Sequence, residues 1–229
     1  MLRRSVLLGG FAFLLAACGA PRAEPVAPAA PVAPNADIAP DTPATTVVFL
    51  GDSLTAGLGL AAEDALPAQV EARWKADGYD ARAINAGVSG DTTANGLARF
   101  DWSVASANPD IVVIALGAND FLLGLPAEQT RANLDSLLEK ARDAGIRAVL
   151  VGLQPRGSQL PGTREAEFAN IYPDLAEAFD VPLFPDMLKG VSDHPDLLQS
   201  DGLHPTAEGV RLIAGRLAPY LEPMLVPVN

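Results

Sequence analysis

The chain has 229 residues, of which 49% are hydrophobic and 19% are charged, and its formal net charge at pH 7 is −12. This acid surplus disfavours binding to nucleic acid and repels anionic membranes, so a membrane contact would need a lipid rather than charge attraction. The length suits one domain with one good core, and a single cysteine, Cys18, excludes internal disulfides.

The first 17 residues are typical of a secretory signal. They begin with Met1-Leu2-Arg3-Arg4 and continue with an apolar run over residues 5–17 that is too short to span a membrane. The run ends in Leu15-Ala16-Ala17-Cys18, which resembles the lipobox of bacterial lipoproteins, where the cysteine carries lipid. We therefore expect a periplasm-facing lipid anchor on Cys18, and by analogy Gly19 favours the outer membrane. The alternative is an ordinary export signal with a stray cysteine.

Residues 18–44 form the next segment, which is composed almost entirely of alanine, proline, valine and small polar residues. A chain so poor in large apolar side chains cannot bury enough surface to offset its ordering entropy, and proline keeps it extended. We predict a tether over residues 18–44 and a folded domain over residues 45–229.

Strands and helices alternate through this domain. The apolar runs predict strands at residues 46–50, 81–84, 111–116, 148–153 and 181–184, and helical periodicity predicts helices at 66–76, 94–107, 126–145, 164–179 and 206–221. Several strands are continuous apolar runs, which is typical of a parallel sheet covered on both faces. The sequence therefore predicts an α/β fold, a three-layer α/β/α sandwich around a parallel sheet of about five strands.

Ser53 directly follows the first strand, at the edge of the sheet where α/β proteins place their ligands. A serine nucleophile needs a base, and the base needs a third group that orients it. His204 lies just before the last helix with Asp201 three residues earlier on a turn, so a carboxylate can meet the imidazole. The only other histidine, His194, has an adjacent acid that would point away, and we interpret it as a surface residue. Asp52 is interpreted as structural.

An acyl-transfer serine also needs donors for the oxyanion. Two polar segments follow strands, at residues 85–91 and 116–120. Gly90 would offer an unobstructed backbone N–H and Asn119 a side-chain amide. Taken singly, each segment is better explained as a turn, because glycine and asparagine favour turns.

Together these segments resemble the SGNH, or GDSL, hydrolase family, and more narrowly its thioesterase I, lysophospholipase L1 and arylesterase group. The four blocks of that family occur in order as Gly51-Asp52-Ser53-Leu54, Ser89-Gly90-Asp91, Gly117-Ala118-Asn119-Asp120 and Asp201-Gly202-Leu203-His204-Pro205. The resemblance covers about residues 47–221. It implies a flavodoxin-like SGNH fold and no cofactor.

By this resemblance Ser53 is the nucleophile, His204 the base and Asp201 its orienting acid. The backbone N–H groups of Ser53 and Gly90 and the Asn119 amide would form the oxyanion hole. The chain departs from the narrower group at residues 154–162, where a Pro-Pro-Asn-Tyr-Gly type segment is usual. Because this loop borders the substrate, acyl-chain preference does not transfer from the relatives.

Other site types fit poorly. Residues 57–62 match the dinucleotide pattern G-x-G-x-x-A, but they begin seven residues past the strand, and no acid ends the second strand. Thr55 stands where a G-x-S-x-G elbow needs glycine. Two histidines ten residues apart, without clustered carboxylates, do not suggest a metal site.

The sequence thus predicts a lipid-anchored serine esterase that hydrolyses small-molecule esters or thioesters through an acyl-serine intermediate. Two alternatives remain open. One is a carbohydrate O-acetylesterase, and the other is a non-catalytic surface-binding lipoprotein on the same fold. The oligomeric state is not indicated.

Overall fold

A computed structural model describes residues 45–156 and 158–226. Within them, five strands form one parallel sheet in the order β2-β1-β3-β4-β5. The strands are β1 Thr45–Gly51, β2 Ala81–Gly87, β3 Ile111–Ala115, β4 Arg147–Val151 and β5 Leu183–Phe184. The predicted α/β fold with about five parallel strands is confirmed.

The register of the sheet brings three chain segments to one edge. Gly51, the last residue of β1, is paired with Gly87 of β2 on one side and with Ala115 of β3 on the other. Parallel strands end at the same edge, so the segments after residues 51, 87 and 115 leave the sheet side by side. These segments contain the first three blocks.

Seven α-helices connect and cover the strands in the described residues. They are α1 Ser53–Ala56, α2 Leu66–Ala76, α3 Thr93–Ser103, α4 Ala118–Leu122, α5 Ala127–Asp143, α6 Arg164–Phe179 and α7 Ala207–Leu221. Helices α2 and α7 pack on one face of the sheet, and α3, α5 and α6 pack on the other. The three-layer arrangement follows from these two packings.

Successive residues of β1 enter opposite layers of the core. Val47 and Phe49 pack with Trp74 of α2, whereas Val48 and Leu50 belong to the layer under α3, α5 and α6. The side chains of these four residues are buried, so this part of β1 has no polar face. The Trp74 indole N–H donates to the carbonyl of Ala218 at 3.1 Å, which satisfies its polar atom inside the core.

Several predicted boundaries differ from the structure. Strand β2 runs to Gly87 rather than residue 84, because its polar and small end residues still pair with β1. The helix predicted at 94–107 ends at Ser103, and a 3-10 turn, Ala105–Ala107, follows it. The short helices α1 and α4 were not predicted, since four or five residues carry too little periodicity.

The predicted signal, the Cys18 anchor and the tether at 18–44 lie outside the described residues, as do positions 227–229. Between Thr45 and Val226, position 157 aside, none of the helices combines the length and the apolar character that crossing a bilayer requires.

Candidate active site

Ser53 is presented at the carboxyl edge of the sheet by the junction of β1 and α1. The strand ends at Gly51, and Asp52 caps the helix by accepting a hydrogen bond from the Leu54 N–H at 3.0 Å. The chain therefore changes from extended to helical within one residue, which places Ser53 at the first position of α1.

The structure brings Ser53, His204 and Asp201 together as a chain of hydrogen bonds. His204 Nε2 lies 2.8 Å from Ser53 Oγ, and His204 Nδ1 lies 2.7 Å from Asp201 Oδ2. If Nδ1 carries the proton and donates it to the carboxylate, Nε2 is free to accept the serine proton. Ser53 and His204, which are separated by 151 positions, are thus brought within hydrogen-bond distance, in the order that the expected nucleophile, base and acid would need.

The loop that holds His204 is fixed by its own backbone. Asp201 Oδ1 accepts hydrogen bonds from the N–H groups of Leu203 and His204, at 2.9 and 3.0 Å. These two bonds, together with the His204 side chain, lower the pKa of Asp201 to about 2. The Gln199 N–H donates to the His204 carbonyl at 2.7 Å. The carboxylate therefore stays ionised and oriented toward the imidazole across the working pH range.

The expected oxyanion donors face the same cleft as Ser53 and His204. Gly90 and Asn119 line that cleft. Gly90 has a φ of 89°, in the left-handed region that favours glycine, and a Cβ there would meet no atom within 4 Å. One hydrogen of the Asn119 amide is donated to the Asp91 carbonyl at 2.9 Å, so the other is available to an oxyanion.

A buried arginine donates hydrogen bonds to two of the blocks, and sequence reasoning missed it. Arg99 of α3 is 6% exposed. Its Nε donates to Asp91 Oδ2 at 2.6 Å and its Nη2 donates to the Gly51 carbonyl at 3.0 Å. Because Asp91 also accepts from Asn119, the guanidinium links the segments that carry Ser53, Gly90 and Asn119. The signal that could have identified Arg99 is that it is a lone arginine in a predicted helix that must cover the sheet.

Asp120, which follows Asn119, fixes α4 through buried hydrogen bonds. Its carboxylate is fully buried and accepts hydrogen bonds from the backbone and hydroxyl of Thr93 and from the Thr130 hydroxyl. Arg164 donates to the carbonyls of Phe121 and Leu125, at 2.8 and 3.2 Å. The five-residue helix that carries Asn119 is therefore held by side chains from α3, α5 and α6.

Asp52 lies beneath the nucleophile and is 2% exposed. Burial raises the pKa of its carboxyl to about 6, although the Leu54 hydrogen bond and the nearby His204 oppose this shift. Its position as the cap of α1 fits the structural role that the sequence suggested.

The other site types considered from the sequence find no support in the residues that the structure describes. His194 is exposed and does not contact Ser53, whereas His204 does. The segment 57–62 follows the four-residue helix α1 instead of opening a helix after a strand, so it lacks the context of a dinucleotide site. The described residues contain no cluster of three or more histidine, cysteine or acidic side chains suited to a metal.

The cleft above Ser53 has a volume of about 630 Å³ and is mostly apolar. Leucines contribute much of its wall: Leu54, Leu58, Leu122, Leu153, Leu188, Leu198 and Leu203. Gln154, Pro155 and Arg156 also line it. The segment in which this chain departs from the narrower family group therefore borders the space where an acyl group would lie.

Comparisons with known proteins agree with this geometry. The sequence model of the GDSL-like Lipase/Acylhydrolase family matches residues 49–212. "Esterase TesA" of Pseudomonas aeruginosa is 37% identical over 182 residues, which cover 80% of this chain and 90% of that protein. "Thioesterase 1/protease 1/lysophospholipase L1" of Escherichia coli K12 is 35% identical over 182 residues, 80% of this chain and 86% of that protein. The crystal structure of AlinE4, "a SGNH-hydrolase family esterase", superposes with a TM-score of 0.65 at 39% identity, covering 80% of this chain and 97% of AlinE4.

Proposed function

The chain belongs to the GDSL-like lipase/acylhydrolase family and is an ester-hydrolysing serine hydrolase, and we propose that it acts through an acyl intermediate on Ser53. The observation that carries this proposal is the hydrogen-bond chain from Ser53 Oγ through His204 to Asp201, at 2.8 and 2.7 Å, at the base of an apolar cleft. A nucleophile, a base and an orienting acid in this order form the arrangement that acyl transfer needs.

In the first half of the reaction, Ser53 Oγ attacks the carbonyl carbon of the ester while His204 Nε2 takes the serine proton. The carbonyl oxygen becomes an oxyanion that accepts hydrogen bonds from the N–H groups of Ser53 and Gly90 and from the Asn119 amide. Asp201 stabilises the imidazolium that forms. The tetrahedral intermediate then collapses, and His204 gives the proton to the departing alcohol or thiol.

In the second half, a water molecule attacks the acyl–Ser53 ester. His204 accepts a proton from that water and returns it to Ser53 Oγ when the carboxylic acid leaves. The same three donors hold the second oxyanion. No step needs a metal or an organic cofactor.

We propose that the preferred substrate is an ester or thioester with an apolar acyl group. The leucine-rich cleft would remove an acyl chain from water, and that burial favours binding in proportion to chain length. Relatives that are named as an esterase and as a thioesterase and lysophospholipase agree with this chemistry. A carbohydrate O-acetylesterase would need polar groups where these leucines lie.

A hydrolysis profile tests the proposal. The folded protein should hydrolyse p-nitrophenyl esters from acetyl to palmitoyl, with kcat/KM rising above the acetyl ester, and it should be slower on an acetylated sugar. Ser53→Ala should abolish every one of these activities without changing the fold measured by circular dichroism. A folded, unmodified protein that hydrolyses no ester or thioester would support a non-catalytic module instead.

We also propose that the mature chain is held to the cell envelope by a lipid on Cys18, facing the periplasm. Support comes from the basic start, the apolar run and the lipobox-like Leu15-Ala16-Ala17-Cys18 sequence. Expression with radiolabelled palmitate should label the protein, and Cys18→Ser should remove the label. Equal labelling of both proteins would contradict the assignment.

A further inference from the structure

Large apolar side chains stand exposed around the mouth of the cleft. Five residues form what we name the collar: Leu58, Val88, Leu122, Leu123 and Leu203, each between 42% and 66% exposed. Leu58, Leu122 and Leu203 line the cleft, and Val88 and Leu123 each adjoin a lining residue in the chain. Exposed apolar side chains grouped at a binding site favour an interaction surface over scattered exposure.

Backbone hydrogen bonds fix the segments that carry three of the collar residues. The N–H of Leu58 donates to the Ser53 carbonyl at 3.1 Å, and that of Val88 donates to the Gly51 carbonyl at 3.0 Å. The N–H of Leu123 donates to the Asn119 carbonyl at 2.9 Å. These side chains therefore project from the segments that form the active site, rather than from loose loop ends.

A single acyl chain in the cleft would not cover the whole collar. Val88 and Leu123 do not line the cleft, and Leu123 is 66% exposed. We expect an apolar surface laid over the mouth of the cleft to cover apolar side chains that a single acyl chain leaves exposed.

We propose that the collar docks on a lipid surface with uncharged or zwitterionic headgroups, from which the cleft takes its ester substrate. This proposal rests on the proposed esterase function and names where its substrate resides. The charges near the mouth do not favour an anionic surface, because Arg156 lies 3.9 Å from Asp193 and the whole chain has a net charge of −12.

The proposed anchor is compatible with this docking. Strand β1 starts at Thr45 on the edge of the sheet opposite Ser53, and its seven residues span about 23 Å. The 27 residues at 18–44 would reach about 80 Å when extended. This reach exceeds the length of the strand, so the proposed anchor and the proposed docking are compatible.

An environment-sensitive fluorophore on the collar tests the docking directly. Since Cys18 is the only cysteine, the full chain with Cys18→Ser and Leu123→Cys can be labelled at one site with nitrobenzoxadiazole. The matched control carries Trp102→Cys, because Trp102 is also strongly exposed, at 67%, but lies away from the cleft. It is about 14 Å along α3 from Thr93, the helix residue that hydrogen-bonds to Asp120. Both proteins also carry Ser53→Ala, so that no substrate is consumed.

On addition of phosphatidylcholine vesicles, we expect the emission at position 123 to rise at least twofold and to be quenched by spin-labelled lipid, while position 102 stays unchanged. The proposal would be overturned if vesicles changed the emission at neither position, or if they changed it equally at both. Burial of position 123 that grows with protein concentration without vesicles would overturn it in favour of a second copy of the chain.

Kinetics separate docking from catalysis. Leu123→Glu should lower kcat/KM at least about tenfold on a long-chain ester embedded in phosphatidylcholine vesicles and leave hydrolysis of a dispersed short-chain ester unchanged, whereas Trp102→Glu should change neither. An equal loss on both substrates would overturn docking, because Leu123 would then act inside the cleft. Absence of activity in the unmodified protein would refute the esterase function, while the fluorescence result would still decide the docking.

Discussion

Replacing Asp52 with asparagine should stabilise the protein, and the gain should increase with pH. Burial raises the pKa of Asp52 from its ordinary value of 3.8 to about 6. The folded protein therefore binds more protons than the unfolded chain between these values, and the free energy of unfolding falls as pH rises through that window. The ionised, buried carboxylate costs about 3 kcal/mol above pH 6, since each pKa unit is equivalent to about 1.4 kcal/mol.

Asparagine has no charge to bury, and its side-chain oxygen can still accept the hydrogen bond from the Leu54 N–H that Asp52 accepts at 3.0 Å. The assay is urea unfolding of both proteins at several values between pH 4 and pH 8. The stability difference between Asp52→Asn and the unmodified protein should grow by about 2 kcal/mol over this range.

Asp143→Asn is the matched control, because Asp143 is exposed and the substitution is chemically the same. Its stability difference should change little with pH. A stability difference between Asp52→Asn and the unmodified protein that stays constant from pH 4 to pH 8 would contradict this prediction, since the burial cost of the charge would then be absent.

Three further predictions concern the reaction. Asp201→Asn should lower kcat by roughly 10²- to 10⁴-fold, because the amide no longer fixes the imidazole tautomer; a loss smaller than tenfold, measured with a p-nitrophenyl ester, would contradict its role. Activity should fall when His204 is protonated at acid pH, because a protonated imidazole cannot accept the Ser53 proton. The pKa of Asp201 is about 2, so its carboxylate does not cause that fall, and the same acid limb should persist in Asp52→Asn. Arg99→Lys should reduce kcat about tenfold with a smaller change in KM, because an ammonium cannot bridge Asp91 and Gly51 as the guanidinium does; equal changes in both constants, with the melting temperature as the control for folding, would count against a positioning role.

Local patterns were enough to predict most of the fold. The helix at 66–76 and the helix at 164–179 have the boundaries that their periodicity predicted. Strand ends were less accurate, because pairing with β1 extends β2 through residues 85–87, which have no strand-like composition. The partners that decide a strand end are distant in the sequence.

For the candidate site, the residues of the sequence blocks could be predicted, but a residue with distant partners could not. Ser53, Gly90, Asn119, Asp201 and His204 could be named from the blocks, while their catalytic roles stay a proposal. In the structure four of them line one cleft, and Asp201 is hydrogen-bonded to His204. Arg99 was missed because its partners are 8 and 48 residues away. Its position as a lone arginine in a helix that covers the sheet was the available signal, but that position does not reveal these distant partners.

Short segments of the sequence were enough to predict the alternation of strands and helices and to name the residues that are proposed to carry the chemistry. The burial of Asp52, the bridge made by Arg99 and the exposure of the collar followed only from the packing of the folded chain. Solvent exposure and charge burial depend on all the surfaces that surround a residue. Those surfaces come from parts of the chain that meet only when the sheet and its helices have packed.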